Sequence, residues 1–317
     1  DRYRIGLPTP PDGFGTTAGN PPMRSPYRDV LVDNLRRGVI PKGGDVNDPD
    51  RFASAVLQYD FDLAPGGAAD VYVAMPLHQA DSALKARMEK AAVQARFDQM
   101  LNAQMAFWEA KVNPIKVRIP EPGIEETLKA NIGYTFITKD GPSLQPGTWC
   151  YDKSWIRDGG IAAVALMRLG FMKEAREFID WYAKSVQPDG LVPPILNNDG
   201  TVNGGFGSNL EYDSQGEFIY LVMEYYRLTG DRALLEKYFN QIHLAMQFMQ
   251  KIREKTLAPG YMSDAPAPER FAGILPPSFS HEGYSPPAHS YWDDFFALKG
   301  WKDGREAAEL LGRKDVA

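Results

Sequence analysis

Three glycines, evenly placed in the second half of the chain, constrain the fold most. They stand in Arg168-Leu169-Gly170-Phe171-Met172-Lys173-Glu174-Ala175, Arg227-Leu228-Thr229-Gly230-Asp231-Arg232-Ala233-Leu234 and Leu298-Lys299-Gly300-Trp301-Lys302-Asp303-Gly304-Arg305. In each, a Gly in the left-handed conformation closes one helix and a short charged turn opens the next. The glycines lie about 60 to 70 residues apart, the spacing of two helices plus a long loop. Such a repeat predicts stacked helical hairpins. The pattern places seven helices at 124–137, 153–169, 171–186, 211–229, 231–257, 288–299 and 302–312. Tight turns alternate with long loops rich in Pro, Gly and aromatic residues (138–150, 187–210 and 258–287), so a site is expected on the long-loop face.

The first part of the chain reads differently. Residues 1–79 are rich in Pro and Gly and have no helical period. Ala53–Leu63 alternates in part, Val71–Leu77 is rich in β-formers, and Ala64-Pro65-Gly66-Gly67 separates them as a turn. Two strands joined by a hairpin-like loop are expected there. Since two strands cannot bury a core alone, they are read as the end of a β-sandwich-like domain over 1–80. From Asp81 to Val112 neither Gly nor Pro interrupts, and Phe97, Met100, Leu101, Met105 and Trp108 form a helical stripe. This is the expected linker helix, within a linker region 81–122. The start at Asp1, without Met or signal peptide, suggests a processed, trimmed or fragmentary chain.

Composition removes several classes. With Lys+Arg 35 against Asp+Glu 41, the net charge of −6 gives no electrostatic basis for binding nucleic acid or an anionic membrane. No apolar run approaches the ~18 residues of a membrane span. One cysteine, Cys150, excludes an internal disulfide framework. The histidines support no metal site: His281 and His289 lack matching ligands, and His78 and His243 lie in other elements. No cofactor motif is present. A single thiol fits a reducing compartment and polysaccharides often lie outside one, so location stays open.

Three segments carry chemistry. Trp149, Tyr151 and Trp155 lead into Arg157 and Asp158 at the entry to the second helix. Sugars need this combination, because their C–H faces stack on rings and their hydroxyls pair with charged planar groups. A buried Arg–Asp pair capping a helix, with the Trp residues in the core, is the structural alternative. In Glu211-Tyr212-Asp213-Ser214-Gln215-Gly216-Glu217, three carboxylates and an amide exceed what capping needs, and Asp213 and Glu217 share a face. A generous N-cap competes with sugar contact there. The third segment runs from Pro276 through His281, Glu282 and Tyr284 to Trp292, Asp293 and Asp294. A carboxyl among aromatic and apolar groups is kept neutral, as a glycosidic general acid must be. Glu282 is the lead proton donor, with Asp293 and Asp294 next; an exposed loop carboxylate and a plain N-cap are their bland counterparts.

A β-rich region, a linker helix and helical hairpins with Trp155-Ile156-Arg157-Asp158 opening the second helix resemble the six-hairpin, or (α/α)6-barrel, glycosidases. That superfamily includes glucoamylases, trehalases and debranching enzymes. The Asp213-Ser214-Gln215-Gly216-Glu217 segment adds to the likeness, which covers residues 55–317. The resemblance implies a mainly α fold, with 123–317 forming the first half of an α/α-barrel catalytic domain, or toroid. It implies that Arg157 and Asp158 hold the non-reducing-end sugar. It also implies that the acid, here Glu282, lies between the fifth and sixth helices, while the general base of inverting members comes from the last loop of the barrel. Twelve helices need roughly 360 to 420 residues, and only about 195 follow Pro122. A missing C-terminal segment or a second chain is therefore expected to complete the barrel, since a half barrel exposes apolar helix faces. Trp149, Tyr151, Trp155, Asp213, Gln215, Glu217, His281, Tyr284 and Trp292 are the further expected sugar contacts. The expected activity is hydrolysis of a glycosidic bond in an oligo- or polysaccharide. The alternatives are a polysaccharide lyase using Tyr284, His281 or His289, which the acidic charge disfavours, and a non-catalytic carbohydrate-binding scaffold.

Overall fold

Helix-forming sequence dominates, and a computed structural model shows a mainly helical protein with little strand; it describes residues 13–17, 30–40, 54–73, 93–148, 151–204, 211–279 and 286–316. The chain divides into two compact units, Asp1–Glu109 and Ala110–Ala317.

In the first unit, β1 (Gly13–Thr17) pairs antiparallel with β2 (Ser54–Gln58), from Gly13 opposite Gln58 to Thr17 opposite Ser54. Helix α1 (Val30–Arg36) packs on both strands. The expected turn at 64–67 forms, with the Gly67 amide donating to the Ala64 carbonyl at 2.8 Å. It does not close the expected hairpin. The partner of β2 is the distant β1, and residues 71–73 are irregular, while 74–77 lie outside the described residues. The Tyr72 ring instead meets Phe97 edge-on, 5.7 Å between centroids. Phe97 belongs to α2 (Val93–Val112), the described part of the expected linker helix, whose Met100, Leu101 and Met105 are exposed.

The second unit holds α3 (Pro122–Ile137), α4 (Ile156–Arg168), α5 (Met172–Tyr182), α6 (Ser214–Thr229), α7 (Arg232–Glu254) and α8 (Tyr291–Leu311). A short strand just before α4, β3 (Ser154–Trp155), pairs antiparallel with β4 (Ile195–Leu196), which follows α5. Two helical hairpins follow the predicted pattern. Gly170 (φ 91°) separates α4 from α5, and Gly230 (φ 68°) separates α6 from α7, both in the left-handed region where Gly carries no Cβ penalty. Asp231 then caps α7, its carboxylate accepting the Leu234 amide at 2.9 Å.

The third glycine turn is absent. Helix α8 runs unbroken through Gly300 and Gly304, so the helices expected at 288–299 and 302–312 are one. These glycines serve contact with neighbouring helices. A Cβ on Gly300 would lie 2.8 Å from the Cα of Gly216, and one on Gly304 would lie 2.3 Å from the Met246 sulfur. Reciprocally, a Cβ on Gly216 would lie 2.0 Å from the Phe296 carbonyl oxygen, so α6 and α8 cross nearly backbone to backbone.

Helix α6 is the hub. It touches α4, α5, α7 and α8, and its Phe218, Ile219, Leu221, Val222 and Met223 are all fully buried. A helix apolar on every side needs neighbours all round. Their burial, at about 1.5–3 kcal/mol for each large side chain, anchors the unit. The polar first turn of α6 is thereby held against the starts of α4 and α8.

Candidate functional site

Each candidate residue is delivered by a fixed local structure. Ahead of α4, the Ser154 hydroxyl donates to the Leu144 carbonyl at 2.7 Å and the Ile156 amide to Pro194 at 3.0 Å. The first turn of α4 then presents Arg157 and Asp158. Gly159 follows because a Cβ there would lie 2.4 Å from the Phe178 ring, which packs beneath the turn.

Arg157 is the centre of the arrangement. Its side chain is 14% exposed, and its guanidinium donates to Asp213 Oδ2 at 2.5 Å and to Glu211 Oε2 at 2.9 Å. The same Asp213 Oδ2 accepts the Trp292 indole N–H at 2.8 Å. Arg157 and Trp292, from the starts of α4 and α8, thus meet on one carboxylate oxygen. The first two predicted segments and the start of α8 form one cluster. Tyr151 is exposed, Trp155 is half-buried, and their rings stand 5.8 Å apart in the segment that leads into Arg157. Such a pair offers apolar faces beside charged hydrogen-bonding groups.

The cluster holds an excess of acid. Burial opposes the Arg157 charge, yet Asp213, Glu211 and Glu217 together raise its pKa above the usual arginine value. Burial raises Asp158, against the pull of Arg157. Glu211 is also raised, by burial first, with Arg157 opposing and Asp213 adding to it. Glu217 is pushed well above the carboxyl range, by burial and then by Asp213. Among the described residues, neither oxygen of Glu217 nor Oδ1 of Asp213 has a hydrogen-bond partner. Buried acceptors of that kind await a donor.

The remaining candidates divide. Gln215 is fully buried, and with its amide oriented by its neighbours it donates to Tyr212 O at 3.0 Å and accepts from Val192 N at 3.2 Å. It ties the loop after α5 to α6. Asp293 is fully buried and accepts the Ser278 hydroxyl at 2.5 Å. Asp294 accepts the Leu275 amide at 2.8 Å, and burial raises its pKa. Together they bind the long loop after α7 to the start of α8. Trp149, His281, Glu282 and Tyr284 lie outside the described residues. The base of the loop carrying the last three is closed by Ser278 and Ala288, which exchange backbone hydrogen bonds of 2.9 and 3.0 Å. Among the described residues, no three His, Cys, Asp or Glu side chains are grouped to hold a metal ion.

Two cluster members are not among the expected sugar contacts. Glu211 lies in the acidic segment, and its surplus of carboxylates over capping needs was the signal for it. Tyr182, which faces Glu217 from α5 and donates to Pro193 O at 2.7 Å, has no local signal at all.

No family model matches the chain. It is similar to a protein of Methanocaldococcus jannaschii named "Uncharacterized glycosyl hydrolase", at 28% identity over 113 residues, covering 35% of this chain and 17% of that protein. The likeness therefore spans less than a fifth of the relative's length.

Proposed function

We propose that the chain is part of a glycoside hydrolase that cleaves a glycosidic bond of an oligo- or polysaccharide by acid–base catalysis with inversion. The observation that carries this is the Arg157 fork on Glu211 and Asp213, joined by Trp292, with the paired rings of Tyr151 and Trp155 just before it in the chain. The name of the Methanocaldococcus jannaschii relative supports the same class.

In this reading Arg157 and Asp158 grip the hydroxyls of the non-reducing-end sugar, while Tyr151 and Trp155 stack on its C–H face. Glu282 gives its proton to the leaving oxygen, and a base outside this chain activates water on the opposite face of the ring. The architecture proposed is an (α/α)6 toroid, with 123–317 as its first half, 81–122 as linker and 1–80 as the end of a β domain. Both flanking helices support it: Ile124, Tyr134 and Ile137 of α3, and Tyr291, Phe295 and Leu298 of α8, are exposed large apolar side chains. Further helices laid on these faces would bury them.

Glu282→Gln in the full-length protein tests the reading on a panel of neutral oligosaccharides. Turnover should fall by about 10²–10⁴-fold while sugar binding measured by calorimetry persists. Unchanged turnover, or an unsaturated product absorbing in the ultraviolet, overturns it; the second outcome identifies a lyase.

A further inference from the structure

Glu217 has a physical problem that sugar contact alone does not solve. It sits in the first turn of α6, 3% exposed, with both oxygens unpartnered among the described residues. Asp213, one helical turn earlier, has the same defect at Oδ1, while its Oδ2 is held by Arg157 and Trp292. The other titratable groups facing Glu217 are Arg157 and Asp158 from α4, Glu211 from the preceding loop, and Tyr182 from α5. The Tyr182 phenol is committed to Pro193 O. One guanidinium, already in contact with two carboxylates, cannot balance two more in a buried setting. Two orphaned acceptors on one helix face become donor and acceptor when one carries a proton.

We propose that Glu217 stands as a neutral acid sharing its proton with Asp213 Oδ1, and that this buried carboxyl pair positions Asp213 with Oδ2 toward Arg157 and Trp292. Glu217 is then a positioning residue, acting on sugar only through Asp213 and Arg157. Glu217 is the better proton holder because Asp213 already has Arg157 against it. Burial and the Asp213 charge both favour the neutral form of Glu217, in keeping with this assignment.

The direction of the pH effect follows. The unfolded glutamate ionises near pH 4.3 at roughly its peptide value, whereas the folded one keeps its proton to higher pH. The stability contributed by the shared proton is complete below the unfolded value and is lost as pH rises through the folded one. Glu217→Gln supplies an N–H donor that cannot ionise.

Thermal melts of wild type and Glu217→Gln across pH 4 to 9 read this directly. The Tm of the variant relative to wild type should climb as pH rises, by roughly 4 °C or more across the range. Infrared spectra at neutral pH should show a protonated-carboxyl C=O band that shifts on labelling with ¹³C-glutamate and is missing in the variant. The labelled wild type reports on a protonated glutamate even if the variant does not fold. A Tm difference that stays constant with pH, or the absence of the band, overturns the proposal. Neither readout depends on turnover. A third measurement rests on the glycoside-hydrolase reading: KM should rise with pH in wild type and stay flat in Glu217→Gln. Failure of that reading abolishes turnover assays and leaves the melts and spectra to decide about Glu217.

Discussion

The two ends of α6 carry charge clusters of the same ingredients and opposite character. At the C-terminal end, Arg227 pairs with Glu224, Asp303 and Glu306, and Lys299 donates to both oxygens of Asp303 at 2.7 and 2.6 Å. Two cations serve one buried aspartate, and both of its oxygens are filled. At the N-terminal end, among the described residues, Arg157 alone faces Glu211, Asp213, Asp158 and Glu217, and three buried carboxylate oxygens have no partner. Glu217 in the first turn of α6 and Arg227 in the last both suit the helix dipole. The two clusters differ in saturation. A closed set of partners stabilises a fold and asks for nothing more, whereas leftover buried acceptors cost stability until a proton or another donor reaches them.

The largest test of that contrast is Arg157→Ala. Removing Arg157, the only cation in contact with Glu211 and Asp213 among the described residues, leaves two buried carboxylates uncompensated, and urea unfolding should register a loss of about 3–5 kcal/mol together with loss of sugar binding. A loss under about 1 kcal/mol would show the two ends to be equivalent. Arg227→Ala should cost only about 1 kcal/mol, because Arg227 is 29% exposed and Lys299 still neutralises Asp303. Calorimetric sugar affinity should be unchanged in that variant; a drop would mean the C-terminal cluster also shapes the site. The smallest effect on stability is expected from Tyr151→Ala. Its side chain is exposed, so Tm should barely move, within about 0.5 kcal/mol, while sugar affinity falls by the equivalent of about 0.5–1.5 kcal/mol for a lost stacking face.

How far these features could be read in advance depended on their range along the chain. The caps at Gly170 and Gly230 were legible because a left-handed residue after a helical run is a local event. Gly300 carried the same local wording and a different cause, since its missing Cβ answers to Gly216, a residue on another helix. The strand at Ser54–Gln58 was legible as a strand, but its partner was not, because pairing with Gly13–Thr17 is set by tertiary packing rather than by the intervening turn. In the site, Trp155, Arg157, Asp158 and Asp213 stood out by residue type. Their meeting with Trp292, and the role of Tyr182 beneath them, depend on helix packing that no short segment encodes. Gln215 looked like a sugar ligand by composition, but its amide is occupied by the main chain of Tyr212 and Val192.

The glycine crossing has a mechanical consequence. Gly216 lies three residues from Asp213, and its contacts on α8 run from Phe296 to Gly300, four to eight residues from Trp292, so the crossing lies within about 6 to 12 Å of the site along α8. Side-chain contacts between helices can slide or swap rotamers; a backbone-to-backbone contact has almost no play. A Cβ at Gly216 or Gly300 would meet the backbone of the other helix, so α6 and α8 would have to part there. The spacing of the site is thus gauged from a point that touches none of its polar groups, and a substitution at Gly300 reaches it without altering any of them.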